Sequence, residues 1–133
     1  MYLLDTNIVS ELRKPRPSPA VVAWVQSIDD KDLFISAVTI GAIQAGIELT
    51  REQDVDKAEE LAAWADQLAA SFGILAMDAQ CFRGWAKLAH RQSNTLYEDA
   101  MIAATALEHN LTVVSRNVRD FARLQVPALN PFK

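Results

Sequence analysis

The sequence lacks several features that whole classes of protein require. Its single cysteine, Cys81, cannot form an internal disulfide, which fits a reducing compartment. No apolar run reaches the roughly 18 residues that a membrane span needs, and Met1–Asp5 has neither a basic leader nor a long apolar core. We therefore expect a soluble cytoplasmic protein without a secretory signal and without membrane association.

Positive charge is also scarce. The 13 lysines and arginines are outnumbered by 17 aspartates and glutamates, which gives a net charge of −4 at pH 7. This balance excludes a protein that coats nucleic acid through bulk positive charge. A substrate that carries phosphate would need a bound cation, or basic side chains gathered on one face.

Nothing in the sequence divides it into parts. It has no internal repeat, low-complexity tract or linker, and its one proline-rich segment, Pro15–Pro19, is short enough for a turn between helices. A chain of 133 residues can bury a sizeable core without disulfides. We predict a single domain over residues 1–133.

Short apolar runs alternate with longer segments that have helical spacing. This alternation predicts an α/β fold, a three-layer sandwich in which helices flank a short, mainly parallel central sheet of four or five strands. The strands are predicted at Tyr2–Leu4, Leu33–Ile35, Ile74–Ala76, Leu111–Ser115 and Ala128–Leu129. Ligand sites in such sheets lie beyond the carboxyl ends of the strands, where Asp5, Ser36, Asp78 and Asn117 are found.

Acidic residues in this arrangement indicate a metal site. Asp5 ends the first strand, Asp99 begins a helix, and Asn117 and Asp120 follow the fourth strand. Carboxylates gathered in one cleft repel each other unless a cation neutralises them, and Mg²⁺ or Mn²⁺ prefers such oxygen ligands. The ion could activate a water molecule and offset charge on a phosphoryl group.

Each of these residues also has a purely structural interpretation. Asp5-Thr6-Asn7 is a common helix cap after a strand, and Asp99 suits the first turn of a helix because of the helix dipole. Asn117 is a frequent turn residue, and Asp120 can cap a short turn. From spacing alone, both interpretations stay open.

Four segments in their order and spacing resemble the PIN-domain family, in particular its VapC toxin branch. The similarity runs nearly from end to end. The segments are Leu3–Asn7, Ile35–Gly41, Asp99–Leu107 and Leu111–Phe121. The resemblance implies an endoribonuclease that uses Mg²⁺ or Mn²⁺, cleaves RNA such as transfer RNA, forms homodimers and is silenced by a VapB-type antitoxin.

The resemblance also implies roles for particular residues. Asp5 and Asp99 match two metal-binding acids, and a further acidic position falls where this chain has Asn117, with Asp120 as the nearest carboxylate. Residues that orient the acids would be the following: Thr6, Asn7 and Ser115.

The chain departs from the family pattern at Ala42. The resemblance implies a glutamate there, three residues after Thr39, that binds metal or acts as a base. The nearest following acid, Glu48, lies about 240° around the helix from position 42, so it cannot substitute. We therefore expect catalysis to be impaired.

Basic residues supply candidate RNA contacts. Arg83, Lys87 and Arg91 repeat every four residues and form a stripe along one helix, whose alternative interpretation is solvated surface. Arg116 and Arg119 lie close in sequence to the predicted acids. Either group could guide the RNA backbone towards the metal.

Two other function classes remain for comparison. Receiver and phosphatase domains also place an aspartate after the first strand, but they require a second acid beside it or two residues later, where this chain has Thr6 and Asn7. The stronger alternative is a noncatalytic PIN-fold protein that binds RNA or an antitoxin without cutting RNA. Ala42 favours this alternative, and metal titration would distinguish the two.

Overall fold

The computed structural model describes residues 1–90 and 92–132, and its centre is a five-stranded parallel sheet with the strand order β3-β2-β1-β4-β5. The strands are β1 (Tyr2–Leu4), β2 (Leu33–Ser36), β3 (Gly73–Leu75), β4 (Thr112–Val114) and β5 (Ala128–Leu129). This topology confirms the predicted α/β class. The central position of β1 puts the residue that follows it, Asp5, at the middle of the sheet edge where ligand sites form.

Seven α-helices connect and cover the strands within the described residues. They are α1 (Thr6–Arg13), α2 (Pro19–Gln26), α3 (Ala37–Arg51), α4 (Val55–Ser71), α5 (Ala79–Ala89), α6 (Tyr97–Glu108) and α7 (Val118–Arg123). Short 3₁₀ turns precede β2 and α6, at Asp30–Asp32 and Asn94–Leu96.

Alternating side chains of the strands produce one core on each face of the sheet. Leu3 and Val113 face a core that includes residues of α6 and α7, whereas Leu4 and Val114 face a core that includes Ile8 of α1. All five of these side chains are completely buried. Successive strand residues point to opposite faces, so β1 and β4 pack against helices on both sides and confirm the three-layer sandwich.

Polar residues that follow the strands start the next helices. Ser36 accepts a hydrogen bond from the backbone N–H of Val38 at 3.1 Å, and Asp78 accepts one from Cys81 at 2.9 Å. Both are therefore N-caps, of α3 and α5 respectively. The helix that begins after Asp78, α5, ends at Ala89.

None of the helices described within residues 1–90 and 92–132 combines the length and the apolar character needed to cross a membrane.

Candidate active site

A polar cavity of about 630 Å³, which we call the acidic cavity, opens at the carboxyl ends of β1 and β4. It brings together the four residues that the sequence predicted for the metal site and two of the three that were expected to orient the acids. The third, Ser115, is buried and donates a hydrogen bond to Asp5. The lining residues are Asp5, Thr6, Asn7, Ser10, Glu11, Lys14, Thr95, Glu98, Asp99, Arg116, Asn117 and Asp120.

Asp5 is held firmly in this cavity. Its side chain is nearly buried, and its Oδ1 accepts a hydrogen bond from the backbone N–H of Thr6 at 2.8 Å. Its Oδ2 accepts hydrogen bonds from the Ser115 hydroxyl at 2.7 Å and from the Asn7 amide at 3.2 Å. Asp5 is also the N-cap of α1, so the structural interpretation of this residue is correct, and the same side chain lines the cavity.

The hydrogen bonds around Asp5 extend across the sheet edge. The Asn7 amide also donates to Ser115 Oγ at 3.2 Å, and the backbone N–H of Asn117 donates to the same hydroxyl at 2.9 Å. Thr6 Oγ1 lies 3.0 Å from Thr39 Oγ1 on α3. Together these bonds fix the orientation of Asp5 relative to the segments that follow β2 and β4.

The electrostatics of the cavity are dominated by carboxylates. Burial raises the pKa of Asp5, although the hydrogen bonds from Ser115 and Thr6 oppose this shift. Burial raises the pKa of Asp99 to about 6, and repulsion by Asp5, Asp120 and Glu98 adds to the effect. A carboxyl group shifted in this way favours either a proton or a bound cation.

Asn117 and Asp120 both line the cavity at the start of α7. Asn117 is the N-cap residue of this helix but makes no capping bond through its side chain, and Asp120 lies in the first turn. The amide of Asn117 offers a neutral oxygen and Asp120 offers a charged one. Both side chains are therefore available as donors to a ligand in the cavity.

The oxygen atoms that line the cavity suit a hard cation chemically, but they do not surround a single position closely. Oxygen donors and excess negative charge match Mg²⁺ or Mn²⁺. Among residues 1–90 and 92–132, no group of three or more His, Cys, Asp or Glu side chains is close enough together to hold an ion. A fit with few direct protein ligands is compatible with Mg²⁺, which usually keeps several waters.

Ala42 lies on the wall of a second, smaller cavity of about 270 Å³, between α1, α3 and α4. Thr6 lines both cavities, so the second cavity adjoins the acidic one. Glu48 is engaged elsewhere, since its carboxylate accepts hydrogen bonds from Gln44 at 2.7 Å and Arg51 at 3.2 Å. The prediction that Glu48 cannot replace an acid at position 42 agrees with this geometry.

The predicted basic residues do not gather in one place. Arg116 lines the acidic cavity, whereas Lys87 lines two separate cavities against α6 and α7. Arg83 and Arg119 are exposed and belong to none of these cavity walls. Arg91, the third residue of the predicted stripe, lies outside the described residues.

Sequence reasoning missed Glu11 as a member of this site. Its carboxylate is buried and accepts hydrogen bonds from Lys14 Nζ and from the backbone N–H of Ser18, each at 2.9 Å. The hydrogen bond from Lys14 and that from Ser18 lower the pKa of Glu11, with a smaller effect of the Arg116 charge. The spacing of Glu11 and Lys14, three residues apart on one helix, was the available signal.

Comparisons with known proteins agree with this fold. The chain matches the model of the PIN domain over residues 2–127. It is 34% identical over 140 residues to Toxin FitB of Neisseria gonorrhoeae, covering 99% of each chain. It is 32% identical over 145 residues to VapC ribonuclease Y4jK of Sinorhizobium fredii, covering 100% of this chain and 99% of the relative.

A solved structure gives the same result in three dimensions. The crystal structure of FitAcB from Neisseria gonorrhoeae superposes with a TM-score of 0.88 at 32% identity and covers 99% of both chains. Sequence and fold therefore agree over almost the whole length, and the chain belongs to the PIN-domain family.

Proposed function

We propose that this chain is built as a VapC-type toxin, a Mg²⁺- or Mn²⁺-dependent endoribonuclease, and that Ala42 leaves it catalytically impaired. The observation that carries the proposal is the acidic cavity at the carboxyl edge of the sheet, which Asp5, Asp99 and Asp120 all line. The relatives named as a toxin and as a VapC ribonuclease support it.

Asp5, Asp99 and Asp120, together with Asn117, would hold the cation. When bound, the cation would neutralise negative charge on a phosphoryl oxygen and lower the pKa of a water molecule that it binds. Ser115 and Asn7 hold the Asp5 carboxylate in one orientation through their hydrogen bonds. The backbone N–H of Thr6 fixes its second oxygen. Preorganised donors of this kind avoid rearrangement during the reaction.

Ala42 explains why activity should be low. Its methyl group can neither bind a cation nor accept a proton, and Glu48 is already paired with Gln44 and Arg51. Losing one acid from a carboxylate site weakens the binding of a divalent ion and leaves the attacking water less well placed. We expect activity at least about 100-fold below that of the variant with a glutamate at this position, which is the lower end of what a positioned base contributes.

The partners of the chain follow from the same proposal. RNA, including transfer RNA, is the substrate, and a VapB-type antitoxin binds and silences the toxin. A homodimer is the proposed assembly. Cytoplasmic location, which would give access to these partners, stays a prediction.

A second candidate function is a noncatalytic PIN protein that binds RNA or an antitoxin. Two observations favour it: the alanine at position 42, and the lack of three closely grouped metal-binding side chains in the described part of the chain. Such a protein should show no pH-dependent divalent site at Asp5 and Asp99, whereas an impaired nuclease should retain weak binding.

The decisive experiment introduces Ala42→Glu and measures cleavage of labelled transfer RNA and single-stranded RNA with Mg²⁺. We expect cleavage to rise at least about 100-fold and to disappear with EDTA. Ala45→Glu is the matched control, because it adds the same charge to the exposed side of α3.

Two further results complete the test. Asp99→Asn in the Ala42→Glu background should abolish the gained cleavage. If Ala42→Glu cleaves no faster than the unmodified chain while both variants bind RNA, the nuclease proposal is wrong and the noncatalytic function is favoured.

A further inference from the structure

Arg116 occupies a distinctive place at the mouth of the acidic cavity. It follows β4 directly, and its side chain is 57% exposed. Its backbone N–H donates to Asn7 Oδ1 at 3.2 Å, which ties it to the hydrogen bonds around Asp5. The backbone of Arg116 is therefore fixed relative to the acidic cavity.

The end of the Arg116 side chain is restrained as well. Its guanidinium carbon lies 3.8 Å from the centroid of the Phe132 ring. Phe132 is itself partly buried against the core that contains Leu4 and Val114. Stacking on an aromatic face restrains a guanidinium group and leaves its N–H groups free to donate in their own plane.

Glu11 approaches the same guanidinium from α1. Its Oε1 lies 3.9 Å from Nη2 of Arg116, which is an electrostatic contact too long for a hydrogen bond. Both Glu11 oxygens already accept hydrogen bonds, from Lys14 and from Ser18. Among the described residues, no hydrogen bond uses the guanidinium N–H groups of Arg116, so they can bind an external acceptor.

We propose that Phe132 is a positioning residue that holds Arg116, with Glu11, so that the guanidinium binds a phosphodiester group of the RNA backbone beside the acidic cavity. The inference rests on the proposed function, since it assumes RNA as the substrate. A planar guanidinium matches two phosphate oxygens, and a negatively charged chain needs such a local contact to bring RNA near its carboxylates.

The test measures RNA binding by the chain with Ala42 in place, so that cleavage does not interfere. A fluorescein-labelled single-stranded RNA is titrated in Mg²⁺ at several salt concentrations, and fluorescence anisotropy reports the dissociation constant. Arg116→Gln should weaken binding and reduce the slope of log affinity against log salt by about 0.7 to 1. Phe132→Leu should weaken binding by about 3- to 10-fold, because the guanidinium loses its stacking partner.

A double-mutant comparison separates positioning from a general structural effect. Phe132→Leu should cause no further loss in the Arg116→Gln background, because its effect acts through Arg116. Phe132→Tyr keeps the aromatic face and should bind RNA as the unmodified chain does. Phe132→Met removes the ring but keeps an apolar side chain, which gives a second removal variant if leucine destabilises the fold. Phe82→Leu is the matched control, an exposed phenylalanine on α5.

Equal losses from Phe132→Leu in both backgrounds, or no loss in either, would overturn the positioning role. Failure of the proposed function looks different. In that case the unmodified chain shows no salt-dependent RNA binding, and Ala42→Glu gives no cleavage. If Ala42→Glu cleaves RNA but the Phe132 variants bind it normally, the nuclease proposal stands and this inference alone is wrong.

Discussion

Asp99 lies in the first turn of α6, within electrostatic reach of Asp5, Asp120 and Glu98. Its pKa is raised from 3.8 to about 6 in the folded chain, first by burial and then by these charges. The folded chain therefore holds this proton more tightly than the unfolded chain does. As the pH rises from about 4 through 6, ionisation of Asp99 costs stability, and the full cost is present above the folded pKa.

Asp99→Asn should remove this cost, because an amide carries no charge to repel the neighbouring carboxylates. We expect the thermal midpoint in EDTA to rise relative to the unmodified chain at pH 8 and to change much less at pH 4.5. Thermal unfolding followed by circular dichroism at both pH values measures this difference. Asp56→Asn, an exposed acid in the first turn of α4, controls for loss of a charge near a helix N-terminus.

The same thermal unfolding measurement can be repeated with Mg²⁺ in place of EDTA. A cation that binds the acids should stabilise the unmodified chain and have a weaker effect on Asp99→Asn. Equal stabilisation of the two proteins by Mg²⁺ would place the ion elsewhere. A midpoint gain for Asp99→Asn that is as large at pH 4.5 as at pH 8 would contradict repulsion as the cause.

Residue type predicted part of the site and missed part of it. Asp5, Asp99 and Asp120 stood out because acids near strand ends and helix starts lie where ligand sites form in such sheets, although helix caps occupy the same positions. Glu11 and Phe132 did not, because their importance depends on Arg116, which is more than 100 positions from Glu11 along the chain. Contacts between distant segments have no local pattern, so only the three-dimensional structure reveals them.

At the level of elements, Ser36 links β2 to α3. Its hydroxyl accepts a hydrogen bond from the backbone N–H of Val38 at 3.1 Å, and the side chain is completely buried. Ser36→Ala should lower the free energy of unfolding by about 0.5 to 2 kcal/mol, because one N–H of the first turn loses its partner. Urea unfolding measures the change.

Ser71→Ala is the control for the Ser36 prediction. Ser71 is exposed at the end of α4 and bonds only to the backbone carbonyl of Gln67. Its replacement should change the free energy of unfolding by less than about 0.5 kcal/mol. A loss at Ser36 no larger than the loss at Ser71 would mean that the cap contributes little.

The elements themselves were predicted well, and their ends less well. Apolar runs identified every strand, but the third strand is Gly73–Leu75, one residue earlier than predicted. Helix α6 begins only at Tyr97, because a 3₁₀ turn occupies Asn94–Leu96. Ends of this kind depend on caps and sheet pairing rather than on periodicity.

At the scale of the whole molecule, the two cores share one thin sheet. Leu3 and Leu4 are neighbours in β1 but belong to different cores. Leu3→Ala and Leu4→Ala should each cost about 2 to 5 kcal/mol, because each leaves a cavity in a fully buried layer. If residues 1–133 form the proposed single domain, both variants should unfold in one transition.

Urea unfolding can be followed in each variant by tryptophan fluorescence and by far-ultraviolet circular dichroism. Trp24 and Trp64 pack against the core that contains Leu4, whereas Trp85 packs against the core that contains Leu3. Coincident transitions are expected for a single cooperative unit. Transitions that separate by probe would show that the cores unfold independently and would contradict the single domain.

The hydrogen bond between Asp5 and Ser115 joins residues 110 positions apart in the chain. During synthesis on the ribosome, Asp5 is made 110 residues before its partner hydroxyl. Pairing of β1 with β4 has the same dependence on late residues, and contacts of such long range form slowly. A nascent chain therefore cannot assemble the acidic cavity until β4 and Ser115 have been translated, so the carboxylate of Asp5 waits for its hydrogen-bond partner through the synthesis of more than 100 residues.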